Sequence, residues 1–195
     1  MWIVLFLLSC TYVLVKGYGN EEILGKGQWL VLNQLHCDDS EQYEIQMMSS
    51  RRKINRTHDA FSINADLDRE INSTYGIEII ANKEVDGGFK FYTQLTDDSF
   101  CNMLKKYAGE NFSKLLAKGN IDPPDCPIPK GPFVIEDYVL DYQELEETGM
   151  YGTYDAYVYI TYMYQRVACE RWLVRFEKHH EREDDDDDDD DDDDY

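Results

Sequence analysis

Cys37, Cys101, Cys126 and Cys169 are the side chains of this sequence with the most sharply limited chemistry. A fifth cysteine, Cys10, sits in the leader MWIVLFLLSCTYVLVKG, whose apolar run from Trp2 to Val15 carries no charge and is followed by Lys16 and Gly17. That run is shorter than the about 20 residues a membrane helix needs, so residues 1–17 read as a secretory signal peptide cleaved after Gly17 or Gly19, with no stable membrane insertion. Its removal leaves an even set of thiols in a chain bound for an oxidising compartment, and two disulfides are expected. Four cysteines allow about three pairings, all open at this level. Zinc is the competing use, but no C-x-x-C and no closely spaced histidine pair accompanies these positions, so no metal is expected.

Three N-x-[ST] motifs place candidate glycosylation sites at Asn55, Asn72 and Asn111, in keeping with a secreted, extracellular protein. Catalytic patterns are missing: there is no G-x-S-x-G, no H-E-x-x-H, no phosphate loop and no dinucleotide fingerprint, so neither an enzyme nor a cofactor is expected. His36 and His58 stand alone, and His179-His180 precede the C-terminal tail. Removing the eleven aspartates 184–194 takes the formal charge from -21 to -10, so the body of the chain is itself acidic and nucleic acid is a poor partner.

The elements that must position the cysteines are mostly strands. Phe61, Ile63, Ala65 and Leu67 alternate with polar residues, as do Tyr43, Ile45, Met47 and Tyr75, Ile77, Ile79, Ala81. Asp86-Gly87-Gly88 predicts a hairpin turn that returns the chain into Phe89-Lys90-Phe91-Tyr92. With segments 29–37, 131–142, 151–163 and 166–176, about eight strands are expected. Phe100, Met103, Leu104, Tyr107 and Ala108 recur instead at helical spacing behind Asp97-Asp98-Ser99. They predict one helical segment between strands five and six, running past Gly109 at a cost of roughly 1 kcal/mol to a stop at Gly119-Asn120. The fold class is therefore all-β, an antiparallel β-sandwich or β-cup in one domain over residues 18–178. Residues 179–195 form an acidic tail that cannot bury apolar surface and is expected to be disordered.

Cys101-Asn102-Met103-Leu104, then Asn120 to Asp125 leading into Cys126-Pro127-Ile128-Pro129-Lys130-Gly131, the following FVIEDYVLD and the late Val167-Ala168-Cys169 carry a resemblance. Over roughly residues 27–178 the chain resembles a secreted insect family that includes chemosensory CheB-type proteins and is similar to ML lipid-recognition domains and the ganglioside-activator protein. It departs from that family at Leu145-Glu146-Glu147, where a Leu-Pro pair is common, and in its aspartate tail.

The resemblance implies two sheets that splay around an apolar cavity for a lipid or another hydrophobic small molecule. It also implies the pairs Cys101–Cys126, closing a loop for about 3 kcal/mol, and Cys37–Cys169, on the order of 5 kcal/mol. Alternation then picks Phe61, Ile63, Phe89, Phe91, Phe133, Ile135, Val158 and Ile160 as the lining, with Tyr157 and Tyr159 on the opposite face. Phe133-Val134-Ile135 is apolar on both faces, and the stapled helix or a bulge is expected to cover the second. Arg51-Arg52-Lys53 reads as a solvated turn, with docking of the acidic tail or of an acidic head group as the alternative. The expected function is a secreted carrier of a hydrophobic ligand, in chemosensation or lipid handling, with a cell-surface receptor as a further partner. The rival is an extracellular protein-interaction module with a filled core, whose exposed tyrosines make the contacts.

Overall fold

The computed structural model describes residues 24–55, 58–140, 142 and 145–178; the leader and the aspartate tail lie outside them. Ten strands are found among these residues: β1 Leu24–Lys26, β2 Gln28–Leu35, β3 Met47–Lys53, β4 Asp59–Leu67, β5 Tyr75–Val85, β6 Gly88–Asp97, β7 Gly131–Val139, β8 Thr148–Met150, β9 Gly152–Tyr162 and β10 Gln165–Glu177. Two helices, α1 Phe100–Ala108 and α2 Glu110–Lys118, separate β6 from β7. Every strand pair is antiparallel. The strands form a five-stranded sheet ordered β2-β10-β9-β5-β6, a three-stranded sheet ordered β3-β4-β7 and the small pair β1-β8. The chain is all-β, as expected, with two short strands beyond the expected set because three-residue segments around Gly25 and Gly149 are too brief to alternate visibly.

Side chains directly opposite in neighbouring strands share a face, so the registers define the interior. Ile77 lies across from Ile160, Ile79 from Val158 and Ala81 from Ala156, while Ala168 and Trp172 continue that face on β10. On the smaller sheet, Ala65 opposes Phe133 and Ile63 opposes Ile135. These two faces meet in one core containing Ala65, Leu67, Tyr75, Phe133, Ile135, Ile160 and Ala168, with Phe112 and Leu116 of α2 between them. Near the end of β7 an irregularity opposite Ser62 and a positive φ of 49° at Asp137 turn Tyr138 to the inside, where its hydroxyl donates to Asn111 Oδ1 at 2.8 Å.

Two crosslinks fasten this region. Cys37 is bonded to Cys169 across 132 residues, and Cys101 to Cys126 across 25, which are the pairs the resemblance implied. The second ties α1 to the loop before β7, beside an ion pair of 2.5 Å between Lys105 and Asp125. The Lys105 hydrogen bond, with help from the Cys126 amide, holds the Asp125 carboxyl below the usual carboxylate range.

Three expectations are corrected here. The helix does not run through Gly109: that residue adopts φ 53°, ψ -132°, a conformation open to glycine and strained for a residue with a Cβ, and it ends one helix and begins another. Ser99 caps the first, accepting at 3.3 Å from the Asn102 amide. Tyr43 and Ile45 are not in a strand; they belong to the crossing from one sheet to the other, and the Ile45 amide donates to Val167 O at 2.8 Å. Arg51-Arg52-Lys53 lies in β3 rather than a turn, because Arg51 can point inward to Asp59 while Arg52 pairs outside with Asp137.

Candidate functional site

The inner face of the five-stranded sheet changes along β5. Tyr75 and Ile77 are 3% and 2% exposed, whereas Ile79, Ala81 and Lys83 on the same face are half-buried and Val85 beyond them is 40% exposed. The neighbouring strand repeats the change, since Ile160 is buried and Val158 and Ala156 are half-buried, and on β10 Ala168 is buried while Trp172 and Val174 are half-buried. These are middle strands, each paired on both sides, so their partial exposure comes from a face that the smaller sheet does not cover.

One flank of this face is sealed. Phe61 of β4 meets Trp172 at a centroid distance of 5.6 Å, and Arg51 of β3 donates to Leu32 O at 2.7 Å, so both join the smaller sheet to the β2-β10 side. Asp59 accepts from Arg51 at 3.0 Å and from the Tyr142 hydroxyl at 3.2 Å. Burial, followed by the Asp59 charge, raises the Tyr142 pKa. Nearer the middle, Ser49 donates to Glu170 Oε2 at 2.5 Å and Gln34 Nε2 donates to the same oxygen at 3.0 Å and to Ser49 Oγ. Burial pushes the Glu170 carboxyl upward against these two donors.

The far end of the face is aromatic. Trp29 packs on Phe176 at 4.9 Å and on Tyr154 at 6.0 Å, and Tyr92 on Tyr154 at 5.7 Å. Tyr154 donates to Met150 O at 2.7 Å, and its burial takes its pKa up to about 12. Lys83 Nζ stands 5.8 Å from the Tyr154 ring and 6.0 Å from that of Tyr92.

Of the residues expected to line a cavity, Ile63 and Val158 lie on the half-exposed part of the interior. Phe61, Phe133, Ile135 and Ile160 are buried among neighbouring side chains, Phe61 against Trp172 and the others in the core. Phe89 and Phe91 are a correction: they are 43% and 67% exposed and face outward, opposite Glu84 and Asn82. The cause is a bulge. Ala81 pairs with Thr93 but Asn82 pairs with Phe91, so Tyr92 is an extra residue that reverses the inside and outside of everything before it. Val134 is also outward and 42% exposed, in a groove of about 450 Å³ with Met48, Ser62 and Asn64, and the helix does not cover it.

Asn111 is a second correction, since it is 2% exposed and its side chain accepts from Tyr138, which leaves no room for a glycan in the folded protein. Asn55 is exposed and Asn72 half-buried. The expected lining omits Ala81, Ala156, Trp172 and Lys83; Ala81 stands in an alternating strand but not in the lining, Ala156 is small and Lys83 is charged, so neither Ala156 nor Lys83 registers as an apolar lining residue. Outside the sheet, Arg166 stacks on Tyr159 at 3.9 Å and Arg171 on Tyr157 at 4.7 Å while forming two 2.9 Å bonds to Asp155, an arrangement that covers the outward tyrosines. Among the described residues, no group of His, Cys, Asp and Glu could hold a metal ion and no helix is long and apolar enough to cross a membrane.

No family model matches the sequence, and no curated protein matches it. Among solved structures, the chain is similar to chicken MD-1 complexed with lipid IVa, over 81% of this chain and 94% of that one, with 16% identity and a TM-score of 0.36. The superposition is loose, and the site is read from its own residues.

Proposed function

We propose that the chain is a secreted binding protein that holds a lipid or another hydrophobic small molecule against the half-exposed face of Ile79, Ala81, Ala156 and Val158. The observation that carries this reading is the dip to half-burial at Ile79, Ala81, Ala156, Val158 and Trp172 on the inner faces of β5, β9 and β10, in strands whose edges are both occupied, before Tyr154 and Phe176 are buried again beyond them. Covering that face with a ligand's chain would contribute about 0.8 kcal/mol per CH₂. The carboxylate and guanidinium beside it are engaged structurally, Glu170 by Ser49 and Gln34 and Arg51 by Asp59, which favours binding over catalysis. Two disulfides fit an extracellular setting. The resemblance of the sequence to the insect family supports a role in chemosensation or lipid handling.

Native mass spectrometry of protein taken from the secretory pathway, before and after delipidation, tests the reading. Co-purified lipid is expected, and the stripped protein is expected to take up a fluorescent fatty-acid probe that Ala156→Trp excludes. An empty protein that binds no probe overturns it. A second reading is favoured by the exposed, outward Phe89 and Phe91 on the free edge strand β6, which suit a protein partner, including a cell-surface receptor.

A further inference from the structure

Lys83 and Lys90 are directly opposite each other in the β5-β6 pair, and Lys83 is opposite Tyr154 on its other side. Like charges so placed repel, and their Cβ atoms are about 5 Å apart in such a pair. The chain has 40 acidic residues with which to neutralise them, yet among the described residues neither lysine forms an ion pair. Glu84 lies on the opposite face across from Phe89, and Asp86 is in the turn. Lys83 is half-buried, with its ammonium group near the rings of Tyr92 and Tyr154 and its stem running against Gly152, and it follows Ile79 and Ala81 on the inner face. A cation held at the end of an oily surface, without a counterion, is complementary to an amphiphile whose polar end is negative.

We infer that Lys83 and Lys90, with the hydroxyl of Tyr92, bind the anionic end, a carboxylate or a phosphate, of an amphiphile whose apolar part covers Ile79, Ala81 and Val158. This rests on the proposed function and adds to it the charge of the ligand and the end of the face at which its head lies. The bulge at Tyr92 is what brings Lys90 and Tyr92 to the inside and sends Phe89 and Phe91 out.

The test uses the delipidated secreted protein with a dansyl-labelled fatty acid and its uncharged methyl ester, at neutral pH and low salt. The acid is expected to bind about tenfold more tightly, equivalent to about 1.4 kcal/mol. The double change Lys83→Gln and Lys90→Gln should bring the acid down to the ester's affinity and leave the ester unchanged; Lys83→Arg with Lys90→Arg should keep the preference. Equal affinities for acid and ester in the unaltered protein overturn this inference and leave the hydrophobic site standing. Failure of both probes overturns the two together. Displacement of the acid by inorganic phosphate as readily as by unlabelled fatty acid would assign the lysines to a free anion and likewise overturn it.

Discussion

The two ends of β5 carry the same kinds of residue and have different fates. At the Tyr75-Ile77 end the inner face meets the smaller sheet, α1 and α2, and both disulfides lie close by, Cys169 next to Ala168 and Cys101 on α1. At the Ile79-Lys83 end the same face is only half-buried. Burial is concentrated where the layers touch, and the proposed binding face lies where they part. An apolar residue therefore acquires its role from what the topology places opposite it, and the residue type alone does not decide between core and ligand surface.

Three measurements sharpen that contrast. Replacing Cys37 and Cys169 together by alanine should cost about 5 kcal/mol in urea unfolding and replacing Cys101 and Cys126 about 3.5 kcal/mol, both from loop length. Probe affinity per folded molecule should stay close to that of the intact protein; a collapse in affinity would mean that the two ends are not separable. Next, Ile77→Ala should cost about 2–5 kcal/mol, as for a fully buried side chain, and Ile79→Ala only about 1 kcal/mol while weakening probe uptake. Equal costs would break the comparison.

The smallest effect concerns Glu170, whose carboxyl is raised by burial. A raised folded-state value favours the protonated form, so the stability it contributes is full below the ordinary carboxylate range and is lost as pH rises through the raised value. Glu170→Gln should melt higher than the unaltered protein near neutral pH, with the difference closing as pH falls below that range. A gap that stays constant across the scan would show that the carboxyl is not desolvated.

Much of the framework could be read from alternation. Phe61 to Leu67, Tyr75 to Ala81 and the Asp86-Gly87 hairpin all lie in strands and turns where period two and glycine chemistry put them, because long strands buried on one face repeat the same signal many times. The site was less accessible to that reasoning. A single extra residue at Tyr92 inverts Phe89 and Phe91, and nothing in the local sequence marks a bulge. Ile160 and Val158 look identical in a pattern, yet only contact with the second sheet makes the first a core residue. Asn111 carries a valid acceptor motif, but its burial depends on Tyr138, 27 residues away.

The kink at Gly109 reaches further than the helices it separates. A straight helix spanning 100–118 would be about 28 Å long and could lie along only one sheet. Broken there, the segment becomes a corner bracket: α1 rests on β5 and β6 while α2 rests on β7. The angle between the two arms of that bracket, one on each sheet, turns at the one residue in it with no side chain.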